Sequence, residues 1–586
     1  MPAWLLGALA VVALAAFAYA PLFGGGMILT GDNLHAWRIH ELGRCLDDGQ
    51  IPCRWVPDLG NGYGYPLFNY YPPLPYYVGD LLHRAGLSYL HSVDALYVIG
   101  LVGAGLSMYV LGRRLWGDLG GLVSAVAYVY APYLALDVYM RGALAELWAL
   151  AFAPALLWAV YELVTTSRLR FVPVVALLGA GLLLSHNLVA LIVAPAAALW
   201  TAALLLSRGR AAGRPALLAG AAAVWGVGLA AFFTLPVLVE GDHVQLESVT
   251  RWPFSYDDHF VSVRDLFLLR SSDYGFLLGL RDGTPVQIGW FHWALAGLAL
   301  PAGVLLWWQG DRRRALAAGL LAAFFAFGVF MTLSISDAVW STFDSLPYIQ
   351  FPWRYVGLIS LGSAALAGAW LALLRDRALW LQVGLAAVLV GLFIGSGRTF
   401  HQPLYRFDVS DADLFEGDFL ALFREGSIGD FLPKDVEEVP DPPARQVQVV
   451  RGPARIESTS AGTDWITMRV SASAPSRLQV ALFEYPDWRV RVDGVETPHR
   501  ASDPGGLVTF TVPPGSHEVE VRLANTGVRQ AANRISLAAW SALALAGAGA
   551  AAAPVVRRRR KRAAETSPTR LASGQSTRAR QSPPSA

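Results

Sequence analysis

Long apolar runs recur along this chain, and every second connection between them is rich in arginine. A helix needs about 20 consecutive apolar residues to cross the hydrocarbon core of a bilayer. Such runs cover residues 3–23, 92–112, 119–136, 143–164, 171–184, 188–206, 215–236, 286–308, 315–335, 355–374, 378–396 and 533–556. With 54% hydrophobic and only 15% charged residues, the composition excludes an ordinary soluble protein. The sequence therefore predicts an α-helical polytopic membrane protein with about 12 transmembrane helices.

The arginine-rich connections predict the orientation in the membrane, because short loops rich in Lys and Arg stay in the cytoplasm. They contain Arg113 and Arg114, Arg168 and Arg170, Arg208, Arg210 and Arg214, Arg312 to Arg314, Arg375 and Arg377, and residues 557–562. All six fall on one side, so both termini are predicted to be cytoplasmic. Residues 18–20 resemble a signal-peptide cleavage site, but no Lys or Arg precedes the first run, which favours an uncleaved span. Usage rich in Ala and Arg indicates a bacterial source, hence the plasma (inner) membrane.

Four regions follow from this arrangement. Residues 1–396 form a transmembrane domain with a long outer loop, residues 24–91. Residues 397–532 form an extracytoplasmic domain, in which alternating apolar and polar runs separated by turn pairs predict a β-sandwich over about 443–526. Residues 533–556 form the last transmembrane helix, and residues 557–586 form a disordered basic cytoplasmic tail.

The outer loop begins with the best candidates for catalysis, Asp32 and His35, followed by Arg38 as a candidate for substrate binding. A carboxylate and an imidazole directly after the first helix suit a reaction on a lipid headgroup at the membrane surface. The pattern from Asp32 to Asp47 predicts a short amphipathic helix whose apolar residues face the interface, namely Leu34, Trp37, Ile39 and Leu42. The alternative is that Asp32 only caps this helix and His35 is solvated.

A segment dense in Tyr, Gly and Pro follows, and its side chains are candidates for a sugar-binding surface: Tyr63, Tyr65, Asn69 and Tyr71. Aromatic rings can stack on the C–H faces of sugars, or they can belong to the interfacial aromatic belt. Cys45 and Cys53 lie in the same loop, on the oxidising side, and a disulfide between them is left open by the sequence.

Polar residues at later helix mouths complete the candidate substrate site: Arg141, Glu146, His186, Asn187 and Arg354. Ionisable groups at such positions are costly unless they are paired or used. Arg141 and Arg354 are predicted to hold a lipid-linked phosphate, and Arg354 lies at a helix start, where backbone dipoles also favour anions. A structural pairing of Arg141 with Glu146 is the alternative.

These features resemble the GT-C superfamily of membrane glycosyltransferases, whose members carry an acidic residue in the first outer loop; Asp32 occupies that place. More closely, the stretches 31–38, 63–66, 71–77, 141–146, 185–187 and 351–354 resemble bacterial membrane proteins with a 6-pyruvoyl-tetrahydropterin-synthase-related domain, over roughly residues 25–360. The runs 483–490, 492–494 and 512–517 are similar to the outer domain of the YfhO-like membrane family.

The resemblance implies transfer of a sugar from a polyprenyl-phosphate donor to a glycan, lipid or protein acceptor on the outer face. Asp32 would act as general base or help to hold a divalent metal, Mg²⁺ or Mn²⁺. No closely spaced His pair is present, so pterin chemistry is not expected, and neither a nucleotide site nor a nucleic-acid partner is indicated. The alternatives are a flippase for a lipid-linked glycan, disfavoured by the apolar middles of the spans, and a non-catalytic envelope-assembly scaffold.

Overall fold

The computed structural model of this chain describes residues 2–251, 254–268, 286–426 and 431–566. The fold is mostly helical. In chain order, its helices are α1 Ala3–Tyr19, α2 His35–Asp47, α3 Leu67–Tyr70, α4 Leu74–Arg84, α5 Tyr89–Trp116, α6 Asp118–Val129, α7 Pro132–Leu136, α8 Leu144–Thr166, α9 Phe171–Ser185, α10 Asn187–Leu206, α11 Gly213–Val239, α12 Val263–Leu268, α13 Trp290–Trp308, α14 Arg312–Thr332, α15 Asp337–Trp340, α16 Val356–Ala367, α17 Ala369–Leu373, α18 Leu379–Gly397, α19 Asp411–Leu414, α20 Gly417–Gly426 and α21 Gly527–Thr566.

Within those ranges, nine helical segments are long and apolar enough to cross a membrane. They are Ala3–Phe23, Tyr89–Trp116, Leu144–Thr166, Asn187–Leu206, Gly209–Val239, Trp290–Trp308, Arg312–Thr332, Pro352–Leu373 and Leu379–Gly397. Each of them overlaps an apolar run of the sequence. Of the remaining runs, 171–184 forms the shorter helix α9, and 533–556 lies within α21. The prediction of a multi-spanning helical protein is confirmed.

The last helix begins at Gly527, before the apolar run 533–556, and continues beyond the end of that run. Helix α21 ends at Thr566, so residues 557–566 of the predicted tail are helical. The rest of that tail, residues 567–586, lies outside the described residues.

The third predicted run is a bent pair of helices rather than one straight span. Helix α6 ends at Val129, and the chain resumes as helix at Pro132 with a bend of 40°. Proline has no N–H to continue the helical hydrogen bonds, and it drives the residue before it into extended backbone. Ala131 has φ −63° and ψ 131°, as this rule requires. The bend aims the chain after α7 toward the first loop.

The C-terminal region contains two antiparallel sheets, and a short two-stranded pair lies apart from them. The strands are β1 Met27–Ile28, β2 Arg406–Phe407, β3 Val447–Arg451, β4 Ala454–Ala461, β5 Trp465–Ala472, β6 Ser476–Phe483, β7 Trp488–Val492, β8 Val495–Thr497, β9 His499–Ala501, β10 Leu507–Val512 and β11 Gly515–Leu523. The four-stranded sheet has the order β3-β6-β10-β9, and the five-stranded sheet has the order β4-β5-β11-β7-β8.

Alternating side chains of both sheets meet in one apolar core, as period-2 patterning predicts. Ile466, Met468 and Val470 of β5 are buried in this core together with Leu478 and Val480 of β6. The predicted C-terminal β-sheet region is confirmed, with strands from residue 447 to residue 523.

Part of the first loop, residues 24–91, packs on these sheets, and the loop and the sheets belong to one compact unit that extends to Ser536. Trp55 is fully buried in the core of the sheets, and its ring lies 5.3 Å from that of Trp488. A disulfide joins Cys45 to Cys53 at the end of α2.

Helix α2 differs from the expected interfacial helix. Its apolar side chains do not face outward; three of them are fully buried in the protein, namely Trp37, Ile39 and Leu42. The sequence pattern is amphipathic, but helices α4 and α5 cover the apolar face, and the Phe423 ring of α20 stacks on Trp37. We therefore describe α2 as a packed element of the site rather than a membrane-surface helix.

Candidate active site

A tight turn places Asp32 immediately before α2. The backbone N–H of Thr30 donates to Asn33 Oδ1 (2.9 Å), and the amide of Asn33 donates back to the Thr30 carbonyl oxygen (2.9 Å). Such side-chain bonds to nearby backbone are why Asn, Asp and Thr favour turns. Asp32 Oδ1 accepts from the N–H of Leu34 at 3.1 Å. One carboxylate oxygen is therefore used within the turn, and Asp32 does not cap α2, whose N-cap residue is Leu34 without a side-chain cap hydrogen bond.

The second oxygen of Asp32 is held by Arg38, one turn into α2. Arg38 Nη1 lies 2.6 Å from Asp32 Oδ2. The guanidinium lies 4.4 Å from the centre of the Tyr71 ring, and Nη1 also donates to the hydroxyls of Tyr71 (3.3 Å) and Tyr76 (3.4 Å). Arg38 is buried, whereas 28% of the Asp32 side chain remains exposed. We call Asp32, His35, Arg38, Tyr71 and Tyr76 the Asp32 cluster.

His35 is engaged at both ring nitrogens. Nε2 lies 2.6 Å from the carbonyl oxygen of Gly142, and Nδ1 lies 3.0 Å from the hydroxyl of Tyr76. A carbonyl only accepts, so Nε2 carries the proton and Nδ1 accepts from Tyr76. Burial lowers the pKa of His35, although Asp32 opposes the shift, so the ring is neutral at pH 7. His35 is therefore buried and positions the cluster, which differs from the solvated histidine of the alternative interpretation.

Asp32 is ionised. Burial by itself would raise the pKa of its carboxyl, but the charge of Arg38, with hydrogen bonds from Arg38 and Leu34, outweighs burial and lowers that pKa below its ordinary value. An efficient general base has a pKa near the working pH. Because its pKa is low, Asp32 is a fixed negative charge. It is better suited to orient an acceptor hydroxyl than to remove the proton from a hydroxyl that has not begun to react.

Backbone contacts join the Asp32 turn to the segment after α7. The N–H of Gly31 donates to the Met140 carbonyl (2.8 Å), and the N–H of Asp32 donates to the Arg141 carbonyl (2.9 Å). Gly142 has φ +66°, and a Cβ there would overlap Thr30 Oγ1 and the Asp32 carbonyl oxygen. Only glycine allows this approach. These contacts therefore hold the Asp32 turn and the segment after α7 together, and we call this junction the mouth of the site.

A second group of charges lies next to this junction, and we call it the Glu146 cluster: Tyr133, Asp137, Arg141, Glu146 and Arg354. Arg141 Nη2 lies 2.9 Å from Glu146 Oε2, Arg354 Nε lies 3.5 Å from the same oxygen, and Arg141 also pairs with Asp137. All four charged side chains are buried. Arg141 and Arg354 both contact Glu146, so each arginine already has a carboxylate partner.

His186 and Asn187 lie at the junction of α9 and α10. His186 Nδ1 accepts from the N–H of Val189 (3.1 Å) and caps α10. The ring is close enough to Glu146 for an electrostatic interaction. Asn187 Oδ1 accepts from the N–H of Leu188 (3.0 Å), a local contact at the helix start. His186 therefore borders the Glu146 cluster, and Asn187 has a local role.

Three residues predicted to bind substrate are not brought to Asp32. Tyr63 is buried against the sheets, where its hydroxyl donates to the Asp441 carbonyl (2.7 Å). Tyr65 is fully buried, and its hydroxyl accepts from the N–H of Phe431. Asn69 accepts from Arg54 (2.8 Å) and donates to Tyr485 (3.0 Å). All three side chains are buried, Tyr63 in the core of the sheets and Tyr65 in the core of the helical region, so none of them is open to a sugar at Asp32.

Sequence reasoning left several site residues unassigned. Asp137 is one helical turn before Arg141, and this i,i+4 spacing of opposite charges is a signal for a pair. Asp94 lines, together with Asp32, His35 and Tyr97, a cavity of about 40 Å³. A space of this size admits water but not a sugar ring. Nothing in the local pattern of α5 marks Asp94, because its proximity to Asp32 is a product of tertiary packing.

Both carboxylate oxygens of Asp32 already have partners within the protein, Leu34 and Arg38. Across the described ranges, the one group of His, Cys, Asp and Glu side chains close enough to share an ion is His40, Glu41 and Asp58, without Asp32.

The apolar helices, the paired charges at their ends and the C-terminal sheets define a multi-pass membrane protein. The chain belongs to the family described as 6-pyruvoyl-tetrahydropterin synthase related domain, membrane protein, whose pattern matches residues 68–399. Arg141, Glu146, His186 and Arg354 lie inside this match. Asp32 and the sheets lie outside it.

Similarity to individual proteins is distant. An uncharacterized protein of Lactococcus lactis subsp. cremoris (strain MG1363) is 24% identical over 200 residues, and this match covers 33% of either chain. The arabinofuranosyltransferase AftD from Mycobacteria superposes with a TM-score of 0.45 at 15% identity, over 69% of this chain and 27% of that one. The Archaeoglobus fulgidus oligosaccharyltransferase gives 0.39 at 12% identity, over 67% and 54%.

Proposed function

We propose that this protein is a membrane glycosyltransferase that moves a sugar from a polyprenyl-phosphate donor to a hydroxyl-bearing acceptor on the extracytoplasmic face of a bacterial plasma membrane. The observation that carries the proposal is the ionised, partly exposed Asp32, fixed by Arg38 beside a second, buried group of charges. Fixed charge at the point where a reaction develops charge is the main way in which enzymes lower barriers.

The side of the membrane follows from the predicted orientation. Asp32 and the sheets lie in segments opposite to the arginine-rich connections, which are predicted to be cytoplasmic. The disulfide between Cys45 and Cys53 agrees with this side, because disulfides persist outside the cytoplasm. A donor carried on a membrane lipid would reach this mouth laterally from the bilayer.

The proposed reaction needs only the donor, the acceptor and side chains of this chain. The acceptor oxygen attacks C1 of the donor sugar, the bond from C1 to the phosphate oxygen breaks, and the polyprenyl phosphate leaves with its electron pair. The acceptor hydroxyl donates a hydrogen bond to Asp32. Because the pKa of Asp32 is low, the carboxylate takes the proton only as the new C–O bond forms and the acceptor oxygen becomes strongly acidic.

The leaving phosphate needs a positive partner. Arg354 suits this role better than Arg141, because Arg354 Nε makes no hydrogen bond within the described ranges and lies 3.5 Å from Glu146, whereas Arg141 is paired with two carboxylates. Arg354 Nη1 is anchored by the Ile349 carbonyl (2.6 Å) and by Gln350 Oε1 (3.0 Å), so Nε is the group that can reach the phosphate. We propose that Arg354 turns from Glu146 toward the phosphate as charge develops, while Arg141 keeps Glu146 neutralised. His186 lies close to Glu146, where Arg354 would change its partner.

A transfer assay with defined variants tests the proposal. Membranes with matched amounts of wild type, Asp32→Asn and the control Asp118→Asn are supplied with a panel of radiolabelled polyprenyl-phosphate sugars. Asp118 is a suitable control because it pairs with Arg113 at a predicted cytoplasmic helix start. We expect transfer by wild type and Asp118→Asn and at least a hundredfold loss in Asp32→Asn. Equal transfer by all three, or no transfer from any donor, would remove the catalytic assignment and favour a flippase or a scaffold.

A further inference from the structure

A second cluster of ligand-type side chains lies on the other part of α2, away from Asp32. It contains His40 and Glu41, which are adjacent on α2, and Asp58, which follows the disulfide loop. One ligand atom from each residue lies within 4.8 Å of the others. Zinc and similar ions hold imidazole nitrogen and carboxylate oxygen at about 2.1 Å, so small side-chain rotations close this set around an ion.

The surroundings of the Glu41 carboxylate point to a bound ligand. The Glu41 side chain is fully buried, and neither carboxylate oxygen meets the geometry of a hydrogen bond with a described residue, although the side chain and backbone of Asp58 lie next to it. The nearest cation is Arg44, whose Nη1 is 3.6 Å from Glu41 Oε1 and is held by Asp58. A buried carboxylate without hydrogen bonds is expensive unless a charge or a proton compensates it. The carboxylate of Glu41 is thus a buried acceptor that a bound cation would stabilise.

We propose that His40, Glu41 and Asp58 bind one divalent transition-metal ion, Zn²⁺ or Mn²⁺, on the first loop. The imidazole favours these ions over Mg²⁺ and Ca²⁺, which prefer sites made only of oxygen. Arg44 is 39% exposed, so it can turn into solvent when the ion takes its place beside Asp58. The hydrogen bond between His40 Nδ1 and the hydroxyl of Tyr89 (3.0 Å) is the kind of outer contact that fixes the orientation of a metal-binding ring.

The ion would tie α2 to the segment that carries Asp58. Residues 48–57 connect the two, and the disulfide between Cys45 and Cys53 already shortens this connection. Arg38 precedes His40 by two residues on the same helix, so an ion here would fix the helix that holds Asp32 in place. This role concerns the stability and geometry of the first loop, and it stands without the proposed transfer reaction.

Metal content and affinity test the site directly. Full-length protein in detergent is stripped with a chelator, and binding is measured by Mn²⁺ electron paramagnetic resonance and by elemental analysis after loading with Zn²⁺. We expect one ion per wild-type chain and at least a tenfold weaker affinity in Glu41→Gln and in Asp58→Asn. Asp47→Asn is the matched control, because Asp47 is an exposed carboxylate on the same helix that pairs with Arg84.

Two further variants test the roles of the neighbouring charges. Arg44→Gln removes the competing cation and should tighten metal binding several-fold. Asp32→Asn should keep full metal binding even if sugar transfer is lost, which separates this proposal from the function above. A wild-type protein that binds no ion, as expected if Glu41 is simply protonated, would overturn the proposal. So would binding by folded Glu41→Gln equal to that of Asp47→Asn.

Discussion

Asp32 Oδ2 and Arg38 Nη1 lie 2.6 Å apart, and this pair is the electrostatic centre of the first loop. The arginine is buried between two tyrosines, while the aspartate keeps part of its surface in solvent. The pair therefore offers one accessible negative charge whose position is fixed from behind. Its consequences can be measured.

Replacing Arg38 with Gln should move the acid limit of activity upward. The charge of Arg38 helps to hold the pKa of Asp32 below its ordinary value of 3.8, against the effect of burial. A depressed pKa keeps the carboxylate ionised as the pH falls; without Arg38, burial dominates and protonation occurs at higher pH. The measurement is the pH dependence of transfer for wild type and Arg38→Gln, and an unshifted acid limb would contradict the role of this pair.

Replacing His35 with Gln should make stability less dependent on pH. The folded protein holds His35 neutral, with a pKa below its ordinary value of 6.5, so the unfolded chain binds more protons and wild-type stability falls as pH drops below about 6.5. Thermal midpoints from pH 7.5 to 5.0 check this. The difference between the two proteins should shrink toward acidic pH, and a constant difference would argue against a buried neutral ring.

Gly142→Ala should damage the mouth of the site. Its backbone has φ +66°, and the added Cβ would overlap the Thr30 side chain and the Asp32 backbone. Gly209→Ala is the matched control, because Gly209 has a similar φ of +54° and no described residue within 4 Å of the added atom. Positive φ alone costs about 1 kcal/mol for a residue with a Cβ. We expect Gly142→Ala to lower the unfolding free energy by more than the control and to reduce transfer, whereas equal losses would mean that the contact is unimportant.

Glu146→Gln should destabilise the protein more than an equivalent change at a partly exposed pair. Arg141 and Arg354 would both lose the carboxylate they share, and breaking a buried pair costs about 3–5 kcal/mol. Glu162→Gln is the comparison, since Glu162 and its partner Arg114 keep 13% and 40% of their side chains exposed and pairs open to solvent contribute about 1 kcal/mol or less. Thermal unfolding in detergent measures both. A loss in Glu146→Gln no larger than that in Glu162→Gln would contradict the buried charge network.

The sequence predicted the elements that depend on local pattern. Hydropathy indicated the helices because both the lipid and the protein core favour apolar side chains. The alternation of apolar and polar residues indicated the strands of the C-terminal sheets. The bend at Pro132 follows from the missing N–H of proline. The contact between Gly142 and His35 that this bend allows is tertiary and could not be predicted from the local sequence. The environment of Tyr63 depends on Asp441, which lies far along the chain, so no local pattern could predict it.

Substitutions of Tyr63 and Tyr71 therefore test which part of the tyrosine-rich segment belongs to the sugar site. Tyr63→Phe removes a hydrogen bond of 2.7 Å to the Asp441 carbonyl and should lower the unfolding free energy by about 1 kcal/mol without changing the KM for donor or acceptor. Tyr71→Phe removes a contact to Arg38 within the Asp32 cluster and should change transfer at nearly constant stability, since Tyr71 is only half-buried. Steady-state kinetics and thermal unfolding of both variants decide the matter. A raised KM in Tyr63→Phe would return the tyrosine-rich segment to the substrate site, because a ring that only supports the sheets has no route to influence sugar binding at Asp32.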